Sequence, residues 1–173
     1  KINISVDNIE TLTDVDLADL CNITEQAIKA GGGFGWLKTP SRDILNKYWK
    51  GVIVVPRRKL IVGRLNNAIA GTLQLIFQPA NNEAQQGFLN IISHFVAPWA
   101  RGHGLAKDMI DKAEIIGLEN GAKFAQLDVR ETQEAAITLY ERAGYIRWSS
   151  KDKYARVNGK YIRGYYYTKD LSL

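Results

Sequence analysis

The sequence has few of the residues that build covalent or metal-bound frameworks. Its 173 residues include one cysteine, Cys21, and two histidines. A single cysteine excludes a disulfide framework within the chain and is typical of a protein kept in a reducing compartment. Because no Cys/His cluster is present, the pattern of a structural zinc site is also missing. We therefore expect a cytoplasmic protein that binds no metal.

Long apolar runs are absent as well. No stretch approaches the ~20 consecutive apolar residues that a membrane-spanning helix needs, and no signal peptide opens the sequence. Hydrophobic residues make up 46% of the chain, which is enough for an ordinary core. We expect one globular domain over residues 1–173, a monomer or a homodimer, with no membrane partner.

The positive charge is modest and concentrated in one place. The net charge is +5, and the basic residues cluster only from Arg147 to Arg163, where Asp152 is the one acid. Such a patch can meet nucleic acid, an acidic protein or a phosphate, and it is equally typical of a solvated hairpin. Because no aromatic-rich RNA motif or recognition-helix pattern accompanies it, we expect no nucleic-acid partner.

A glycine turn between a strand and a helix carries the strongest functional signal. Residues 89–96 are largely apolar and favour a strand, and apolar residues then recur with helical spacing over 105–116. Between them, Gly102 and Gly104 leave backbone N–H groups uncovered at the positive end of the helix, beside Arg101. This arrangement is typical of a phosphate-binding site.

Two nucleotide-binding motifs fit this turn poorly. A dinucleotide-binding fingerprint needs a third small residue where this chain has Lys107, although Asp128 ends the next strand where a ribose-binding acid would stand. The turn also lies past the middle of the chain, which leaves no room for a doubly wound sheet. A Walker P-loop is excluded because no Gly-Lys-Ser/Thr sequence is present.

The periodicity along the rest of the chain predicts an α+β fold with a mixed sheet and interleaved helices. Strands are predicted over residues 2–6, 60–63, 68–77, 89–96, 124–129, 154–157 and 160–168. Helices are predicted from an N-cap at Thr13 to the glycines at 31–33, and over residues 41–52, 105–116 and 132–142.

Two segments together resemble the GNAT N-acyltransferase superfamily. Arg101–Ala106 is similar to its acyl-CoA pyrophosphate signature, which reads Arg or Gln, two residues, Gly, one residue, and Gly or Ala. The later strand–helix unit of the superfamily ends in Leu-Tyr, three residues and Gly-aromatic, which the segment from Leu139 to Tyr145 resembles. The resemblance covers residues 60–168 well, whereas residues 1–59 match only as a strand and two helices. Within the superfamily, the glycine-rich segment after the first helix and the last hairpin are similar to tabtoxin-resistance acetyltransferases.

The resemblance implies a single GNAT-like domain with a mixed sheet of about seven strands and about four helices. Its central parallel strands would splay to admit acetyl-CoA, whose acetyl group passes to a primary amine by direct attack in a ternary complex. The amine of a small molecule is our first expectation, and a protein lysine or N-terminus is the second. A non-catalytic acyl-CoA sensor is the alternative from another class. The implied cofactor-binding residues are Phe95, Val96, Arg101, Gly102, His103, Gly104, Leu105, Ala106 and Gln133.

The resemblance also implies catalytic roles. Tyr140 would protonate the departing thiolate, and its alternative role is that of a helical core aromatic. Many relatives carry a Glu where this chain has Asn90, which cannot accept a proton, so the base stays open between Asp128, His94 and a water held by either. Gln133 stands where many relatives carry Asn. The candidates for the substrate pocket, each of which can also be an ordinary core residue, are Phe34, Trp36, Trp49 and Gln74.

Overall fold

A seven-stranded mixed sheet organises the chain in the computed structural model, which describes residues 1–173. The strands are β1 (Ile4–Ile9), β2 (Arg58–Leu65), β3 (Ala68–Phe77), β4 (Phe88–Val96), β5 (Phe124–Arg130), β6 (Ile146–Val157) and β7 (Lys160–Asp170). The helices are α1 (Asp14–Lys29), α2 (Arg42–Val54), α3 (Leu105–Glu119) and α4 (Glu134–Arg142). The strand order is β1-β2-β3-β4-β5-β7-β6. All neighbours are antiparallel except β4 and β5, which are parallel.

The helices form one layer on each face of the sheet. Leu20, Leu45 and Trp49 belong to a buried cluster that packs α1 and α2 against one face. Met109 and Tyr140 belong to a second cluster that packs α3 and α4 against the other. Each helix buries an apolar face because its apolar residues recur every three or four positions. The predicted fold class is confirmed.

Local capping signals set two of the helix starts. The Thr13 hydroxyl accepts from the N–H of Asp16 at 3.1 Å at the beginning of α1. The Ser41 hydroxyl accepts from the N–H of Ile44 at 3.3 Å at the beginning of α2. A side-chain oxygen that satisfies an unpaired N–H of the first turn fixes where the helix begins.

The sequence placed several boundaries differently from the structure. The largest difference is in β6, which begins at Ile146 instead of residue 154 and pairs with β7 along most of its length. It is an edge strand with mostly exposed side chains, so it lacks the alternation of apolar and polar residues that reveals a half-buried strand. Helix α4 begins at Glu134, two residues later than expected, with Gln133 as its N-cap.

The two parallel strands separate and leave a slot in the sheet. Strands β4 and β5 pair only from Phe88 to Asn90 with Phe124 to Gln126. Beyond these pairs they diverge, which confirms the predicted splay of the central strands. No helix of the structure is long and apolar enough to cross a membrane.

Candidate active site

Two adjoining cavities open at the slot. The strand cavity, of about 370 Å³, lies between the diverging ends of β4 and β5. The turn cavity, of about 460 Å³, lies beside the glycine turn before α3. Both are lined by His94, Gln133 and Tyr140, so these side chains stand where the two cavities meet. An extended ligand in the turn cavity can therefore present one end to the strand cavity.

The turn cavity ends at a cradle of backbone N–H groups. Gly102 and Gly104 have φ values of 85° and 75°, and Gly104 is the N-cap of α3 without a capping side chain. No backbone N–H of residues 102–107 donates to another group of the chain. These donors lie at the positive end of a helix of 15 residues, beside the Arg101 side chain, so the cradle suits phosphate groups.

The other residues of this turn differ in which of their atoms line the turn cavity. The His103 side chain lines neither cavity, whereas Ala106 and Lys107 line the turn cavity. The Leu105 side chain is buried against Gly63, where an added Cβ would lie 2.7 Å from it. Leu105 therefore offers the cavity its backbone N–H, and its side chain anchors the beginning of α3 in the core.

A β-bulge in β4 directs His94 into the slot. Gln74 faces Ile92 whereas Thr72 faces Phe95, so β4 carries one more residue than β3 at this point. Ser93 adopts a left-handed φ of 50°, and the Thr72 hydroxyl donates to its carbonyl at 2.9 Å. An extra residue reverses which face the following side chains occupy. The bulge thus places His94 on the α3/α4 face, where regular alternation would have placed it on the opposite face.

The same distortion leaves one N–H facing the slot. The N–H of Ala97 donates to the carbonyl of Ala70 at 2.7 Å, on the β3 side. Successive N–H groups of a strand point to opposite edges. The N–H of Val96 therefore points toward the slot, while the Phe95 ring packs edge-on against Phe34 at 5.1 Å between centroids.

Tyr140, His94 and Ala106 form a chain of hydrogen bonds on the α3/α4 face. His94 Nε2 lies 3.0 Å from the carbonyl oxygen of Ala106, which can only accept, so Nε2 carries the proton. His94 Nδ1 lies 3.0 Å from Tyr140 Oη and therefore accepts from the Tyr140 hydroxyl. One contact with a carbonyl thus defines both the tautomer of His94 and the direction of the Tyr140 O–H bond.

Burial shifts the pKa values of His94 and Tyr140 in the directions that favour their neutral forms. Desolvation lowers the pKa of His94 to about 4, and the hydrogen bond to the Ala106 carbonyl opposes this shift. Desolvation, with a further contribution from the negative charge of Asp128, raises the pKa of Tyr140 well above its usual value. Both side chains are therefore neutral at ordinary pH.

Opposite the His94–Tyr140 pair, the strand cavity contains a carboxylate held by a second tyrosine. Asp128 accepts from the Tyr154 hydroxyl, and both residues line the cavity. Tyr154 reaches Asp128 because its ring lies across Gly164, where any side chain would collide with it. Asn90, by contrast, lies in the paired part of the strands and lines neither cavity.

Two hydrogen bonds hold the loop between α1 and α2 over the slot. Gln133 Nε2 donates to the carbonyl of Gly31 at 2.8 Å, and an added Cβ at Gly32 would lie 2.8 Å from Gln133 Oε1. The Arg130 guanidinium donates to the carbonyl of Phe34 at 3.2 Å. The loop after α1 is thereby tied to the segment between β5 and α4, and it covers the junction of the two cavities.

The structure separates the four residues predicted for the substrate pocket. Phe34 lines the strand cavity, and Trp36 packs behind it with ring centroids 5.9 Å apart. Trp49 is buried in the core, where its indole donates to Thr24 at 2.9 Å. Gln74 is also buried, between Tyr48 and Arg58. Trp36, Trp49 and Gln74 line neither cavity, which favours the packing interpretation for these three.

Sequence reasoning did not select Arg130 or Tyr154 for this site. Arg130 follows Asp128 by two residues on β5, so strand alternation could have placed both side chains on one face. Tyr154 had no such signal, because it depends on an irregular register in which Lys151 faces Gly164 but Ala155 faces Ile162.

The splayed parallel strands thus lead to a helix N-terminus whose free N–H groups suit the phosphates of a ligand. Residues 20–145 match the family model described as Acetyltransferase (GNAT) family. The chain is 50% identical over 131 residues to an uncharacterized N-acetyltransferase from the hisH–hisA intergenic region of Azospirillum brasilense, with coverage of 76% of this chain and 78% of that protein. The chain belongs to the GNAT acetyltransferase family.

Solved structures of the family share the whole fold. An N-acetyltransferase from Staphylococcus aureus superposes with a TM-score of 0.80 at 18% identity, over 98% of this chain and 99% of that one. An acetyltransferase from Salmonella typhimurium, solved with its cofactor acetyl-CoA, superposes with a TM-score of 0.78 at 13% identity, over 97% and 94%. GNAT acetyltransferases use acetyl-CoA, which confirms the predicted cofactor and the predicted class of enzyme. The open cradle at residues 102–107 fits its phosphates.

Proposed function

We propose that this acetyltransferase acetylates the primary amine of a small molecule by direct attack in a ternary complex. The observation that carries the proposal is the junction of two cavities at Tyr140 and His94. A donor in the turn cavity and an amine in the strand cavity would meet there without a covalent enzyme intermediate. The size of the strand cavity, about 370 Å³, and the loop tied over it favour a small molecule over an extended polypeptide.

The binding roles follow from the free donors of the turn. The N–H groups of residues 102–107 and the Arg101 guanidinium would hold the phosphates of acetyl-CoA. When bound, acetyl-CoA supplies the acetyl group, and its C–S bond breaks as the N–C bond of the product amide forms. The N–H of Val96 would donate to the carbonyl oxygen, where negative charge develops.

The proton roles follow from the tautomer of His94. The reaction moves one proton from the amine nitrogen to the sulfur. Tyr140 Oη carries a proton that it donates in a hydrogen bond to His94 Nδ1. Rotation about the Cζ–Oη bond can turn this proton toward the sulfur. Because its pKa is high, Tyr140 suits a transfer in which Oη gains the amine proton as it gives up its own. His94 positions this hydroxyl, and Asp128 is the carboxylate that would draw the proton from a bound ammonium group.

Replacement of Tyr140 by Phe tests the catalytic role. We expect Tyr140→Phe to lower kcat by about 10²–10⁴-fold, the usual contribution of a positioned proton donor, with little change in the KM of acetyl-CoA. Thiol release followed over a panel of amino acids, polyamines and aminoglycosides measures both constants. Tyr161→Phe is the matched control, because Tyr161 is exposed on the last hairpin. An unchanged kcat in Tyr140→Phe would return Tyr140 to a packing role.

The same panel separates an enzyme from a sensor. Acetyl-CoA at about 100 times its Kd adds ~2.7 kcal/mol to the free energy of unfolding of any protein that binds it. A thermal shift with acetyl-CoA but no thiol release with any amine or peptide would identify a sensor. Turnover on peptides alone would identify a protein acetyltransferase and contradict the small-molecule proposal.

A further inference from the structure

Two opposite charges face the strand cavity without an ionic partner. Asp128 and Arg130 both line this cavity, and apart from the neutral His94 no other ionisable acid or base of the Asp, Glu, Lys, Arg or His type does. Neither residue forms a salt bridge, with the other or with any charged side chain of the chain. The Asp128 side chain is exposed and the Arg130 side chain is half-buried, so both charges are accessible to a ligand that enters the cavity.

The backbone of β5 explains why the two charges share one surface. Leu127 and Val129 point into the core, so Asp128 and Arg130 point to the opposite face. Residues two apart in a strand are separated by roughly 6.6 Å. Because β5 has already left β4 at this point, the cavity lies alongside both side chains.

The Asp128 carboxylate and the Arg130 guanidinium each have hydrogen-bonding atoms that no protein group uses. Tyr154 occupies one oxygen of the Asp128 carboxylate, and the other oxygen has no protein donor. Arg130 uses one of its N–H groups on the carbonyl of Phe34. Since a guanidinium carries five N–H groups, an edge of Arg130 is available for two parallel bonds to a carboxylate.

We propose that the acceptor is a small α-amino acid, whose ammonium group binds Asp128 and whose carboxylate binds Arg130. This inference rests on the proposed function and names the substrate class of the same site. Asp128 lies on the side of the cavity that faces Tyr140, whereas Arg130 lies toward the loop at Phe34. The amine is thereby directed to the junction with the turn cavity, and the carboxylate is directed away from it.

The charge pattern discriminates against other amines. A polyamine would bring a second cation to Arg130, and repulsion there disfavours it. The N-terminus of a peptide has an amide in place of the carboxylate, and it would leave the guanidinium unpaired. A free amino acid neutralises both charges at once.

The test compares matched acceptors in wild type and variants. Thiol release is measured with the twenty common amino acids, and then with the carboxamide and the decarboxylated amine of the best of them. We expect kcat/KM for the free acid to exceed that for the carboxamide by about 10–100-fold, the effect of a charge-assisted pair of hydrogen bonds. Equal values for the two, or no turnover with any amino acid, would overturn the inference.

Variants of Arg130 test whether its charge causes the preference for the free acid over the carboxamide. In Arg130→Gln, which keeps a donor for the carbonyl of Phe34, the ratio of free acid to carboxamide should fall toward one. Arg130→Lys should retain part of it, and Arg156→Gln, a change at an exposed arginine of β6, should retain all of it. A ratio that is unchanged in Arg130→Gln would refute the assignment.

The outcomes distinguish this inference from the proposed function. Turnover on amines without any preference for a free carboxylate would defeat only the inference. The absence of turnover on every amine, with a preserved thermal shift by acetyl-CoA, would defeat the proposed function itself.

Discussion

The neutral state of His94 leads to a quantitative prediction about pH and stability. In the unfolded chain its imidazole gains a proton below pH 6.5, whereas in the folded protein burial lowers its pKa to about 4. Between these values the unfolded state binds more protons, so the contribution to stability is complete above pH 6.5 and is lost as pH falls toward 4. With 1.36 kcal/mol per pKa unit, the loss at pH 5 is about 2 kcal/mol.

Denaturant unfolding of wild type and His94→Gln isolates this contribution. Glutamine does not titrate, and its amide has a donor and an acceptor for the carbonyl of Ala106 and the hydroxyl of Tyr140. The free energy of unfolding is measured at pH 7.5 and pH 5 for both proteins. We expect the decrease on acidification to be smaller in His94→Gln by about 2 kcal/mol. Taking the difference between the proteins cancels the carboxylates that titrate in both.

Nuclear magnetic resonance tests the protonation state and the tautomer of His94 directly. The chain has only two histidines, so His103→Gln assigns the imidazole signals without ambiguity. The nitrogen shifts of His94 should show a proton on Nε2 and none on Nδ1, from neutral pH to below pH 5. A titration midpoint near 6.5, or a proton on Nδ1, would refute both the tautomer and the positioning role of His94.

Replacements of Gly104 and Gly164, with Gly51 as a control, extend the predictions to the two cavities. Gly104→Ala should cost about 1–2 kcal/mol, because its φ of 75° is left-handed, and should weaken acetyl-CoA binding measured by calorimetry. Gly51→Ala, in the last turn of α2 with open space around it, should instead stabilise the chain by up to about 1 kcal/mol, and a similar effect at both positions would contradict the role of the turn. Gly164→Ala should displace the Tyr154 ring from Asp128, lowering kcat/KM for the amine without changing the KM of acetyl-CoA. A raised KM for acetyl-CoA alone would show that Tyr154 acts elsewhere.

The open helix N-terminus at the glycine turn was readable from local sequence. The glycines at 102 and 104 are separated by one residue, directly before an amphipathic helix, and the structure forms the expected open N-terminus there. A helix end and its turn are built from neighbours in the chain, so their chemistry follows from local spacing. The same holds for the predicted N-cap at Thr13, which begins α1.

The arrangement of side chains around the strand cavity depends on contacts between distant parts of the chain. Tyr154 reaches Asp128 only through a register shift in the last hairpin and the absence of a side chain at Gly164. His94 meets Tyr140 only because a bulge opposite Thr72 reverses its face. Neither irregularity has a distinctive local sequence, since both arise from how paired strands accommodate extra residues.

The sequence by itself determined the family, the glycine turn before α3 and the order of the helices and strands. Each of these depends on residue types at short spacings, which local conformation and periodicity translate directly into structure. Only the tertiary structure decided that His94 is neutral, that Trp49 and Gln74 are core residues, and that Asp128 and Arg130 share a cavity. Burial, tautomer and unpaired charge are properties of what surrounds a side chain, and those surroundings exist only after distant segments have packed together.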